Sequence, residues 1–143
     1  MNIKLRVANL IKKYDTSCPK SLANHLGIKI ISLELPDCNR GFLVRCLKRK
    51  YILLNTNLSE EGQIVVVCHE LGHAVMHHGY GYQYHPNKMY YIPCRREREA
   101  NEFTTYLLAH SHDIDSTLIP KIINEKRPDP IIIHKMLTEF ISY

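Results

Sequence analysis

The chain has 143 residues, with 19 lysines and arginines against 14 acidic residues for a formal charge of +5. That length fits one domain, which at about 150 residues buries roughly 68–70% of its unfolded surface and supports a real core. Its longest uncharged apolar run, residues 64–68, falls far short of the roughly 20 residues needed to span a bilayer.

Ile3, Val7, Leu10, Ile11 and Tyr14 recur at helical spacing, which predicts an amphipathic helix over residues 3–14. Pro19 and Gly27 bracket a short second helix. Residues 28–34 alternate and are rich in β-branched side chains, so they read as a strand. Residues 36–41 turn, and residues 42–47 with 51–54 make a hairpin about Lys48-Arg49-Lys50. Ser59 is placed to cap the next helix, with Glu60 and Glu61 at its positive end and Gly79 at its finish. Residues 80–94 read as a tyrosine-rich loop leading into a helix at about 95–109. Two shorter helices are expected near 117–125 and 130–142, separated by Arg127-Pro128-Asp129-Pro130. The expected class is α+β in a single domain, residues 1–143, with a core at about 10–110 and a helical C-terminal extension at about 111–143.

The chemistry concentrates at His69-Glu70-Leu71-Gly72-His73. Histidines four apart on a helix sit one above the other and can present two imidazoles to one ion. Glu70, one step past the first histidine, sets its carboxylate beside the metal, where a general base acting on water belongs. Residues 62–68 are apolar almost without a break, and Leu71, Ala74, Val75 and Met76 extend that character. A helix apolar on nearly every face is buried. Two histidines and a glutamate on such a helix are costly unless paired or coordinated.

Twenty-four positions past His73 lies Glu97-Arg98-Glu99-Ala100-Asn101-Glu102-Phe103. Glu97 and Glu99 stand about 200° apart on a helix, so one of them can face the metal. Glu97 is nearer the centre line of the stripe Ala100, Phe103, Leu107 and Leu108 and is the chosen third ligand, with Glu99 as the fallback and otherwise a solvated charge. Asn101 shares that edge and is a candidate hydrogen-bond partner for a ligand histidine. Ala100 is small enough to let two helices approach closely.

His69-Glu70-Leu71-Gly72-His73 with Ala74-Val75-Met76-His77, the Glu97-x-Glu99-Ala100-Asn101-x-Phe103 cluster and Tyr106-Leu107-Leu108 together resemble the ImmA/IrrE family of small metallo-endopeptidases, carried by bacteria, their phages and integrative elements. Gly41-Phe42-Leu43 and Tyr51-Ile52-Leu53-Leu54-Asn55 resemble that family's hairpin, so the likeness covers roughly residues 10–110. It implies a gluzincin-like fold in which the central HExxH helix packs on a small antiparallel or mixed sheet and a second helix supplies the glutamate ligand. It further implies one Zn2+ ion on His69, His73 and Glu97, Glu70 as catalyst, and a helix-turn-helix transcriptional repressor as protein substrate. The chain departs from the family at Thr104, where alanine is common, and beyond Leu108, where the likeness ends.

In proteases of this architecture a peptide adds as a strand to an exposed sheet edge beside the metal; the 42–54 hairpin is the expected edge. Tyr80, Tyr82, Tyr84, His85, Tyr90 and Tyr91 are all within the loop that could donate to a tetrahedral oxyanion, and sequence does not choose among them. His77 continues the histidine row but drifts about 80° from His69, which makes it a cleft-lining or ligand-supporting residue, with His78 on the surface. A metzincin site would need glycine at 76 and histidine at 79; Met76 and Gly79 exclude it.

Five cysteines without a C-x-x-C pair fit free thiols in a reducing compartment. The N-terminus alternates Lys4, Arg6, Lys12 and Lys13 with apolar residues and has no signal-peptide core. A cytoplasmic protein is expected, without membrane attachment. Cys68 projects about 100° from His69 and reads as a buried thiol. The alternatives are a DNA-binding regulator or a metal-binding module without proteolysis. Arg45-Lys48-Arg49-Lys50 and Arg95-Arg96-Arg98 are basic, and residues 21–28 look like the first half of a helix-turn-helix. Residues 28–33 then read as a strand where a recognition helix should follow, so nucleic acid is not the expected partner. A structural zinc site fills all four positions, whereas two histidines and one glutamate leave one open for catalysis.

Overall fold

The computed structural model describes residues 2–35, 39–110, Pro130 and His134. The expected C-terminal helices at 117–125 and 130–142 otherwise lie outside the described residues, as does part of the 36–41 turn.

Helix α1 spans Ile3–Tyr14 and is capped by Asn2, whose side chain accepts from Leu5 N at 3.0 Å. Helix α2, Pro19–His25, starts on the proline whose fixed φ suits a first helical position. Strand β1, Ile28–Leu33, follows, then β2, Gly41–Cys46, and β3, Arg49–Asn55. The hairpin turn is shorter than expected. Leu47 and Lys48 alone make it, with Leu47 at φ 59°, and Arg49 and Lys50 are strand residues opposite Cys46 and Arg45. A two-residue loop with positive φ matches the strands' twist, and side chains at a strand end remain solvated, so the run of charges hid the start of β3.

Helix α3, Glu60–Met76, carries the histidine motif. Ser59 Oγ accepts from Gly62 N at 3.1 Å at its start. Twelve of its 17 residues are buried, which is why its apolar residues do not confine themselves to one face. Residues 80–94 then correct the expectation of a loop. They form β4, Gly81–Tyr84, and β5, Met89–Ile92, an antiparallel hairpin in which Tyr82 pairs with Tyr91 and Tyr84 with Met89. Gly81 at φ +112° allows β4 to close on β2, since a Cβ there would meet Leu43 O at 2.7 Å. Helix α4, Glu97–Ala109, begins two residues later than expected.

The five strands make one mixed sheet in the order β1-β3-β2-β4-β5. β1 and β3 run parallel, β2 and β3 antiparallel, and β2 and β4 parallel. The 42–54 hairpin is therefore interior, and the expectation that it offers a free edge is corrected: among the described residues β1 and β5 are the outermost strands. Position along the chain does not order strands in a sheet; β3 crosses back between β1 and β2, and the chain passes through α3 before adding β4. One sheet face, through Ile28, Leu43 and Ile52, packs on α1, α2, α3 and α4 around Val7, Leu22, Val65, Leu71, Phe103 and Leu107. The other gathers Phe42, Val44, Tyr51, Leu53, Tyr82 and Tyr84. The architecture is α+β, with the histidine helix between the sheet and α4. No helix among the described residues is long and apolar enough to cross a membrane.

Candidate metal centre

A close approach brings α3 and α4 together. Gly72 faces the Phe103 ring so tightly that a Cβ would lie 3.0 Å from its Cδ1, and Ala100 of α4 is fully buried. Leucine or valine at position 72 would hold the glutamate helix off the histidines. The C-terminal end of α3 is fixed by two arginines. Arg6 of α1 donates to Val75 O at 3.1 Å, while Arg45 of β2 donates to Tyr80 O at 2.7 Å and His77 O at 3.1 Å. These carbonyls lie at or just past the negative end of the helix, where a cation is stabilising. Arg45, read from sequence as part of a basic cluster, is thus partly buried and turned inward, and its burial lowers its pKa.

This frame converges three donor atoms. His69 Nε2 and His73 Nε2 are 3.2 Å apart, and Glu97 Oε2 is 3.1 Å from the first and 3.0 Å from the second. His69 and His73 are buried at 5% and 0% exposure, and Glu70 at 5%. A near-equilateral triangle of two imidazole nitrogens and a carboxylate oxygen suits a small divalent cation. Ligands about 2.0–2.1 Å from a tetrahedral zinc stand about 3.3 Å from each other. The triangle fits that spacing with tenths of an ångström of adjustment.

Burial, with the neighbouring His69 and His77, pushes the His73 imidazole down to about 4, keeping it neutral and able to coordinate. For Glu97, burial pushes upward, but the bonds from His69 and His73 together hold its carboxyl well below the ordinary range. An ionised carboxylate and neutral imidazoles are the protonation states a metal requires.

His77 lies outside this triangle. Its Nδ1 is 2.8 Å from His73 Nδ1, and its Nε2 is 2.9 Å from Glu99 Oε1. Glu99 therefore faces His77 and is not a solvated charge; the bond from His77 holds its carboxyl low. Sequence phase alone missed this pairing, although the spacing of two glutamates at 97 and 99 against histidines at 73 and 77 held the clue. Asn101 does not fill the supporting role expected of it. Its Oδ1 and His69 Nδ1 are both buried without a hydrogen-bond partner among the described residues. Asn101 Oδ1 thus accepts from neither ligand histidine.

Of the candidate tyrosines, Tyr80 stacks on His73 with ring centroids 3.9 Å apart and 21° between planes. Tyr82 and Tyr84 belong to the opposite sheet face, and Tyr84 stacks on His134. Tyr80 in turn meets Tyr91 of β5 at 6.0 Å. Cys94 Sγ lies within 4.8 Å of ring nitrogens of His73 and His77. Cys68 is fully buried, and burial raises its thiol pKa beyond any reactive range. A cavity of about 370 Å³ opens beside these groups, with His77, Tyr80, Cys94 and Arg96 among its walls.

Comparison with known proteins agrees with this chemistry. Residues 23–125 match the Peptidase_M78 family, described as the IrrE N-terminal-like domain. The chain is also 37% identical over 106 residues, 74% of its own length and 67% of the relative's, to the "Uncharacterized immunity region protein 2" of Bacillus phage phi105. No solved structure matches it.

Proposed function

The chain belongs to the Peptidase_M78 family, whose members are metal-dependent peptidases, and from that premise we propose that it is a zinc-dependent endopeptidase cleaving a helix-turn-helix repressor of a phage or mobile element. The observation that carries this reading is the convergence of His69 Nε2, His73 Nε2 and Glu97 Oε2 within 3.2 Å of one another, next to the buried Glu70.

Zinc held by those three side chains would supply Lewis acidity at the scissile carbonyl and a water whose pKa is drawn toward about 7. Glu70 is the base. Its carboxylate takes a proton from water as the oxygen bonds to the carbonyl carbon, then delivers that proton to the amide nitrogen as the C–N bond breaks. Its place about 100° round the helix from His69 sets it beside the ligand row. Tyr80, stacked on His73, restrains that ring.

Strand β5 is the docking edge of this reading. It pairs with β4 on one side, is outermost in the sheet among the described residues, and runs through Pro93 to Arg96 directly into Glu97. An extended peptide added there gains backbone hydrogen bonds near the ligands. The relative from a phage immunity region supports a regulatory protein as substrate. Arg6 and Arg45 spend their charge on carbonyls of this protein, which leaves less of the basic surface for nucleic acid. Cys18, Cys46, Cys68 and Cys94 are free thiols, which suits a cytoplasmic site of action.

Co-expression with a repressor encoded beside it tests the reading. The parent should generate repressor fragments that disappear with a chelator, while Glu70→Gln retains zinc and fold but yields none. Cleavage by Glu70→Gln at the parental rate removes Glu70 as the base, and a zinc-loaded parent that leaves the repressor whole favours the non-proteolytic alternative.

A further inference from the structure

His73 uses both ring nitrogens. Its Nε2 faces His69 and Glu97, and its Nδ1 faces His77 at 2.8 Å. His77 passes the contact on, through Nε2, to Glu99 Oε1 at 2.9 Å.

The carboxylate at the end of this row decides where the protons sit. Glu99 can only accept, so His77 donates its Nε2–H to it. With its one ring proton given to Glu99, His77 offers a bare Nδ1 that accepts a hydrogen bond from His73 Nδ1–H at 2.8 Å. With a cation in place of the hydrogen bond to Glu97, His73 Nε2 presents a lone pair to the space shared with His69 and Glu97. Coordination through Nε2 needs this tautomer and no other.

We infer that His77 and Glu99 are positioning residues, a hydrogen-bonded chain that holds His73 in its metal-ready tautomer. The two glutamates of Glu97-x-Glu99 thereby take opposite ends of one row of groups: Glu97 meets His73 at the ligand side, and Glu99 closes the row behind it. The middle member is held firmly. His77 is 7% exposed, its N–H donates to His73 O at 2.8 Å, and its own carbonyl accepts from Arg45 at 3.1 Å. Arg96 Nε stands 3.9 Å from Glu99 Oε1 and adds positive charge at the far end.

This inference rests on the metal reading, and zinc titration of the metal-stripped full chain, with a chelator competition and 15N–1H spectra of labelled histidines, separates the two. The parent should bind one equivalent, with the His73 proton on Nδ1 and the His77 proton on Nε2 once it is loaded. Glu99→Ala and His77→Phe should each bind zinc about 10–100-fold more weakly, while His77→Gln, which keeps an oxygen able to accept from His73, recovers most of the loss. The Glu99 side chain is 25% exposed, so this variant tests the chain even if His77→Phe fails to fold. Parental zinc affinity in Glu99→Ala overturns the inference. So does a second zinc equivalent that vanishes in Cys94→Ser, because His77 Nδ1 would then face an ion in place of a proton. A parent that binds no zinc brings down the metal reading and the inference with it.

Discussion

Phe103 lies against the bare Cα of Gly72, so close that a Cβ there would come within 3.0–3.2 Å of three atoms of the phenylalanine. The third residue after His69 is thus as constrained as the histidines, by packing and not by coordination. Gly72→Ala must push the Phe103 ring, and with it α4, away from the ligand row. Overpacking of a filled core costs about 1–3 kcal/mol. Denaturant melts should show a loss of that order and zinc titration a weaker site; a variant as stable as the parent would mean that Phe103 yields freely.

Arg45 is the second test. Replacing it with methionine keeps much of its apolar stem and removes the bonds to Tyr80 O and His77 O. Hydrogen bonds to a charged group contribute about 1.5–3 kcal/mol each. The variant should lose at least about 2 kcal/mol in a urea melt, and an unchanged midpoint would return Arg45 to the solvated surface.

Asn55, 1% exposed, organises the junction between β1 and β2. Its amide donates to Leu35 O at 3.1 Å and Asn39 O at 2.8 Å, while its Oδ1 accepts from Leu35 N and Asn57 N. Asn55→Ala strands buried backbone groups, each costing about 1–3 kcal/mol. A drop of several kcal/mol is expected by thermal or chemical unfolding; a loss below 1 kcal/mol would show that water replaces the amide.

Acidification should destabilise the metal-free protein. Burial lowers His73 from the ordinary 6.5 to about 4, so between those values the unfolded chain holds a proton that the folded chain refuses. Its contribution is complete above about 6.5 and disappears as pH falls toward 4. Glu97 acts in the same direction. Despite the upward push of burial, His69 and His73 hold its carboxyl below its unfolded value, so folding stability is again present at higher pH and lost on acidification. For one proton the slope approaches about 1.4 kcal/mol per pH unit. Melting temperatures taken from pH 7 downward in the presence of a chelator should fall through this window, and a flat profile would contradict the burial of His73.

The local features of this chain were readable because they depend on near neighbours. Ser59 ahead of an apolar run, histidines four apart, Pro19 at a helix start and the 3.6-residue recurrence in α1 are properties of a few consecutive residues, and the helices stand where those signals fall. The 200° phase difference along α4 likewise implied that Glu97 and Glu99 meet different neighbours, and the structure sets Glu97 against His69 and His73 and Glu99 against His77.

What sequence could not carry was the partner of each group. The strands β4 and β5 were hidden because tyrosines and glycines so close together resemble a loop; β4 becomes a strand by pairing with β2, nearly 40 residues earlier, and β5 by pairing with β4. Which edge is free, that Arg45 turns inward to carbonyls past α3, and that Glu99 meets His77 all depend on distances across the fold. Helical phase tells a side chain which way to leave its own axis. Only the packing of α3 between the sheet and α4 determines what it finds there.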